Sequence, residues 1–180
     1  MSKLIVLTGS PRKQGNSNTM AAAFAQEAER LGHNVQIIDS YQLEIGGCRD
    51  CRRCYETGKA CAFDDDFNTI AQDILEADGI VFAMPVYWYS IPAKLKAVID
   101  KFLTYLTGKQ PIGGKKWGLI CCCTDTEAAV PAEVCHSLGR STALLGWTNV
   151  GNVLMPGLAK VGDVEHSDGC ERAKELAKKF

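Results

Sequence analysis

The chain has 180 residues, 46% of them hydrophobic, and carries 20 Lys and Arg against 21 Asp and Glu for a net charge of −1. That is the size of one domain with a sizeable core, and a near-neutral charge spread along the chain offers no basic field for nucleic acid. No apolar run approaches a membrane span and no signal-peptide pattern precedes the first strand, so a soluble, cytoplasmic protein is expected. Nine cysteines, an odd number with four clustered, suit metal or redox use in a reducing compartment better than a secreted disulfide framework.

Lys3 to Thr8 reads as a first buried strand, and Ser17 to Leu31 as a helix with Met20, Phe24, Ala28 and Leu31 on one face, ended by Gly32. Asn34 to Ile38 is a second strand. An irregular, cysteine-rich insertion from about 41 to 63 follows, and Asp64, Asp65 and Asp66 then open a helix to Glu76, where acidic residues complement the dipole. Gly79 to Met84 is continuous in apolar residues, as a strand buried on both faces should be. Ile91 to Leu106 predicts one helix with Ile91, Leu95, Val98, Phe102 and Leu106 along one face and charges opposite. Strands at Lys116 to Cys122 and Thr148 to Met155, with helices at Thr126 to Leu144 and Glu165 to Lys179, complete the alternation. Five strands separated by helices imply an α/β doubly wound parallel sheet covered on both faces, one domain over residues 1–180. In such sheets ligands bind beyond the carboxyl ends of the strands where strand order reverses, so the loops after strands one, three and four should converge.

The first of these loops, Gly9-Ser-Pro-Arg-Lys-Gln-Gly-Asn-Ser17, joins a buried strand to a helix N-terminus and makes an anion cradle. Gly9 and Gly15 stand too far apart for a nucleoside-triphosphatase loop and Asn16 sits where its lysine should be; the dinucleotide pattern Gly-x-Gly-x-x-Gly is also absent. A monophosphate remains, with donors from Ser10, Asn16 and Ser17 and a planar fork from Arg12. A plain helix cap with a surface arginine is the simpler reading, but it accounts for Ser17 alone. The loop holds no cysteine nucleophile for phosphatase chemistry. The second loop, Pro85-Val-Tyr-Trp-Tyr-Ser90, sets three adjacent aromatic rings after the central strand. They suit contact with a flat heterocycle, or a subunit interface, and Ser90 could cap the next helix. A planar ring and a phosphate together suggest FMN.

These motifs, Gly9-Ser-Pro-Arg with Gly15-Asn-Ser and Met84-Pro-Val-Tyr-Trp-Tyr-Ser-Ile-Pro-Ala-Lys-Leu-Lys-Ala-Val-Ile-Asp-Lys-Phe102, resemble those of the NAD(P)H-dependent FMN reductases of flavodoxin-like fold. The resemblance implies strand order 2-1-3-4-5, phosphate binding by Ser10, Arg12, Asn16 and Ser17, and ring contacts, much of them through backbone, from Pro85, Val86, Tyr87, Trp88 and Ser90. It also implies self-association as a homodimer or homotetramer. The third loop, Cys123-Thr-Asp-Thr-Glu-Ala, departs from the glycine-rich versions of that family and leaves Thr124 as its ring contact.

Cys48, Cys51, Cys54 and Cys61 are spaced so that their thiolates can converge on a [4Fe-4S] cluster or on tetrahedral zinc. The spacing resembles the iron–sulfur branch of the same family; packed or reactive cysteines are the alternative. Arg49, Arg52 and Arg53 could offset cluster charge, or simply form a solvated face. Cys121, Cys122 and Cys123 fall on a strand and read as core. With NAD(P)H as co-substrate, the flavin carries the chemistry and no protein acid, base or nucleophile is required. Electrons would pass to a quinone, free flavin or other small acceptor, or singly to a redox carrier if a cluster is present. A flavin- or zinc-binding sensor without turnover is the reading from a different class.

Overall fold

The computed structural model describes residues 1–180. Five strands form one parallel sheet in the order β2-β1-β3-β4-β5: β1 Lys3–Thr8, β2 Asn34–Asp39, β3 Gly79–Pro85, β4 Lys116–Cys122 and β5 Thr148–Met155. Parallel neighbours need crossover connections, and helices supply them. Helices α1 (Asn16–Arg30) and α6 (Gly169–Ala177) cover one face, burying Met20, Phe24 and Leu176 against Leu4, Val6 and Val81. Helices α2 (Phe67–Glu76), α3 (Ala93–Asp100), α4 (Leu103–Thr107) and α5 (Ala129–Leu144) cover the other, over Ile5, Leu7, Phe82 and Leu119. Alternate β3 residues thus enter opposite cores, which is why its sequence is apolar throughout. The same alternation sends Cys121 to one core and Cys122 to the other. No helix is long and apolar enough to cross a membrane.

Several helix boundaries differ from the sequence pattern. The helix expected from Ile91 to Leu106 is two, because at Lys101 and Phe102 the backbone tightens to three-residue bonds, Lys101 N–H to Val98 O (3.2 Å) and Phe102 N–H to Ile99 O (3.0 Å). The break turns Lys101 inward. The acidic run 64–66 lies ahead of α2, where Asp66 accepts from Glu44 N–H (2.7 Å) and Asp65 from Gly46 N–H (3.0 Å) and Phe67 N–H (3.2 Å). These carboxylates therefore lace the start of the cysteine-rich segment to the helix as well as favouring its dipole. The last helix starts at Gly169 because Asp163–His166 forms a separate 3₁₀ turn, and α5 starts at Ala129.

Candidate functional site

The loops after β1, β3 and β4 meet at the carboxyl edge of the sheet, joined there by the segment after β5. They enclose a crevice of about 120 Å³ lined by Ser10, Arg12, Gly15, Asn16, Ser17, Pro85, Val86, Tyr87, Cys123, Thr124 and, unforeseen from sequence, Cys122, Leu158, Ala159 and Val161. Gly9 crosses above α3 so closely that a Cβ there would stand 2.8 Å from Leu95 Cδ2, while its N–H donates to Ala83 O (2.8 Å). Gly15 closes the turn with its N–H on Arg12 O (2.8 Å) and leaves a Cβ only 3.0 Å from that oxygen. The helix then opens. Its first N–H groups, those of Asn16 and Ser17, have no carbonyl a turn behind them and face the crevice end of the dipole.

The side chain of Asn16 has a different task from the one its sequence position suggested. Its amide donates to Lys160 O (2.8 Å) and its Oδ1 accepts from Val164 N–H (3.2 Å), tying the β5–α6 segment over the crevice. With its side chain so engaged, Asn16 offers the crevice its backbone. Asn18, which the motif reading passed over, holds the loop by donating to Arg12 O (3.0 Å) and Ser10 O (3.5 Å). Ser10 Oγ accepts from Arg12 N–H (3.3 Å), and Arg12 is exposed at the rim.

On the second loop, Tyr87 N–H bonds Ser90 O and Ser90 N–H bonds Tyr87 O, both at 3.0 Å, around Trp88 (φ +49°) and Tyr89 (φ +58°). Two left-handed residues in a two-residue turn define a type I′ hairpin, whose ordinary sequence is Asn-Gly. The turn throws its central side chains outward. Trp88 is 97% exposed and absent from the crevice lining, so its ring does not form part of the wall; Tyr89 is 67% exposed. Ser90 lies outside the crevice lining and closes the turn through its backbone, and it does not cap the next helix as expected: α3 starts after Pro92 with no side-chain cap. Pro85, Val86 and Tyr87 remain as the wall. Thr124 lines the opposite rim, and burial pushes the Cys122 thiol up to about 11 against the opposing pull of Ser17 N–H and hydroxyl. Cys123 is raised as well, by desolvation. A floor of neutral thiols does not repel a phosphate dianion.

A second pocket, of about 70 Å³, gathers Cys48, Cys51, Cys54 and Cys61 with Gly46, Arg49, Phe63 and Lys101. The four thiols fit a soft, four-thiolate donor set, yet nowhere in the chain are three or more His, Cys, Asp or Glu side chains drawn together as a ready metal site. Cys48 and Cys51 are exposed, and Asp50 (φ +48°), Arg52 (φ +59°) and Tyr55 (φ +64°) give the loop repeated left-handed kinks. The interleaved arginines face other groups: Arg49 lies over the Phe63 ring at 4.5 Å, Arg52 pairs with Asp50 (2.5 Å) and Arg53 with Glu56 (3.4 Å). The cation that reaches a cysteine is Lys101, 3.4 Å from Cys61 Sγ. As one lysine among several on an amphipathic helix, it carried no local signal.

A 2-1-3-4-5 sheet with an anion loop at its switch point is the architecture of the flavodoxin-like flavin-binding proteins. Comparison with known proteins is more specific, since the profile of the NADPH-dependent FMN reductases matches residues 2–155 and the chain belongs to that family. It is an FMN-dependent oxidoreductase. An iron-sulfur flavoprotein of Archaeoglobus fulgidus is 29% identical over 99% of this chain and 80% of its own length. One of Methanocaldococcus jannaschii is 29% identical over 98% of this chain and 94% of its own. Among solved structures, NAD(P)H:quinone oxidoreductase from Methanothermobacter marburgensis shares the fold with TM-score 0.79 and 21% identity, covering 98% of this chain and 94% of that one. An azoreductase from Bacillus anthracis superposes with TM-score 0.77 and 22% identity over the whole of both chains.

Proposed function

We propose that the protein oxidises NAD(P)H with FMN held in the crevice, and that Cys48, Cys51, Cys54 and Cys61 ligate a [4Fe-4S] cluster that serves a one-electron carrier. The observation that carries the second half is the pocket shared by all four thiols, one of them against a buried lysine. Relatives that align over nearly the whole chain and bear the name iron-sulfur flavoprotein support it. Bound FMN supplies hydride acceptance and the release of electrons in steps of one or two.

The chain's own residues bind and orient. Ser10, Ser17 and the N–H groups that open α1 meet the phosphate, with the Arg12 fork closing over it. Pro85, Val86 and Tyr87 form a flat wall for one ring face, held because Val86 N–H bonds Cys122 O at 2.8 Å. The N–H groups of Val86 and Tyr87 are engaged within the protein, so a donor to negative charge on the ring would come from elsewhere on the rim, and Thr124 would supply it. No side chain is needed as acid or base. Exposed Cys48 and Cys51 thiols suit a reducing, cytoplasmic compartment, and exposed Trp88 and Leu144 favour assembly as a homodimer or homotetramer.

The test is anaerobic purification followed by the visible absorption spectrum and analyses for iron, acid-labile sulfide and zinc, then stopped-flow mixing with NADH, NADPH and a quinone. Flavin with stoichiometric iron and sulfide, and rapid bleaching by a nicotinamide, is the expected result. Flavin without iron, with turnover of a quinone or free flavin, would move the protein to two-electron chemistry. Failure to bind FMN after reconstitution would remove both. Bound FMN or zinc with negligible NAD(P)H oxidation would make it a sensor.

A further inference from the structure

The break between α3 and α4 places a buried cation at the inner wall of the cysteine pocket. The Lys101 side chain is 3% exposed; its ammonium pairs with Asp65, whose side chain is 16% exposed, and stands 3.4 Å from Cys61 Sγ and 5.6 Å above the Phe67 ring. Asp65 reaches back to Gly46 N–H, ahead of the first cysteine, so one ion pair ties together both ends of the segment. Cys61 is also fixed through its backbone: Asn68 accepts from Cys61 N–H (2.8 Å) and donates to Cys61 O (3.2 Å), and the Thr104 hydroxyl donates to Ala60 O. Cys48 and Cys51 have no comparable hold and face solvent. Of the four cysteines, Cys61 is the one set in advance.

We infer that Lys101 is a positioning residue of the four-thiolate site, which orients the Cys61 ligand and raises the reduction potential of the cluster by an N–H···S hydrogen bond and a desolvated positive charge. The inference rests on the cluster reading given above. An added electron makes a thiolate-ligated cluster more negative, so a fixed cation beside one ligand stabilises the reduced form, and hydrogen bonds to cluster sulfurs act in the same direction. Low local dielectric strengthens both effects compared with the exposed arginines. Asp65 opposes the lysine electrostatically while holding it in place. The two residues therefore tune the same site with opposite signs.

The test is potentiometry of the reconstituted holoprotein, following the cluster by electron paramagnetic resonance and the flavin by absorbance. Lys101→Met should lower the cluster potential by at least the equivalent of a tenfold change in the one-electron equilibrium constant, about 59 mV. Asp65→Asn should raise it, and Lys101→Arg should stay close to wild type. Structural damage would shift Lys101→Met and Asp65→Asn the same way, so opposite shifts identify the charge effect, and an unchanged flavin potential shows the crevice intact. If Lys101→Met fails to fold, Asp65→Asn decides through the sign of its shift. Wild-type protein that loads a cluster whose potential is indifferent to both substitutions overturns the role of Lys101 alone. Protein that takes up no iron and sulfide overturns the cluster reading and this inference with it.

Discussion

Replacing Trp88-Tyr89 by Asn-Gly should stabilise the protein. Both residues sit at left-handed φ, +49° and +58°, in a turn closed by two 3.0 Å backbone bonds. Such a conformation costs an ordinary residue roughly 1–3 kcal/mol, and asparagine and glycine are the residues that adopt it readily. Little burial is lost in exchange, because Trp88 is 97% and Tyr89 67% exposed. Against the relief stands the greater unfolded-state freedom of glycine, about 0.5–1 kcal/mol. The balance is a gain of at least about 1 kcal/mol, or roughly 2–4 °C or more in Tm for a chain of this size. Thermal unfolding followed by circular dichroism measures it, and FMN affinity should be unchanged because neither side chain lines the crevice. A Tm that stays the same or falls would refute the assignment of strain to this turn. It would mean instead that the aromatic side chains are covered in the working protein by a surface that offsets the backbone cost.

Gly9→Ala should destabilise by about 1–3 kcal/mol, since its Cβ would meet Leu95 Cδ2 at 2.8 Å and Met84 Cβ at 3.3 Å. In denaturant titrations the double variant with Leu95→Ala should then lose less than the sum of the two single losses. Arg12→Ala should weaken FMN roughly ten- to a hundredfold, as expected for one charged hydrogen bond of about 1.5–3 kcal/mol, while riboflavin, which lacks the phosphate, binds as before; an equal loss for both ligands in fluorescence titration would place Arg12 elsewhere. The folded-state Cys122 thiol, raised by desolvation to about 11 from 9.0, keeps its proton while the unfolded chain ionises. Its contribution is thus complete below pH ~9 and lost as pH rises through about 11. Stability should fall over that window, less steeply in Cys122→Ala, and in cluster-free protein at pH 8 iodoacetamide should alkylate exposed Cys48 and Cys51 well before Cys122.

The alternation of strand and helix, the apolar run of β3 and the convergence of three loops were legible because each follows from a local period or from the geometry of parallel crossovers. The side-chain directions that sequence could not give share a cause. Asn16 reads as a ligand donor until the β5–α6 segment arrives from far along the chain to take its amide. Trp88 reads as a stacking ring until the hydrogen bonds of its turn fix which way it points.

Sequence by itself thus determined the class of fold, the polar loop that opens α1 and the clustering of four cysteines, since patterning and residue chemistry are properties of short segments. Tertiary structure alone decided which atoms face the crevice and which cation faces Cys61. Lys101 shows the reason: by pattern it continues one amphipathic helix, and only in the folded chain does the α3–α4 break bring its ammonium against Asp65 and Cys61. A side chain's direction at such a point is set by partners remote in sequence, and no local period records them.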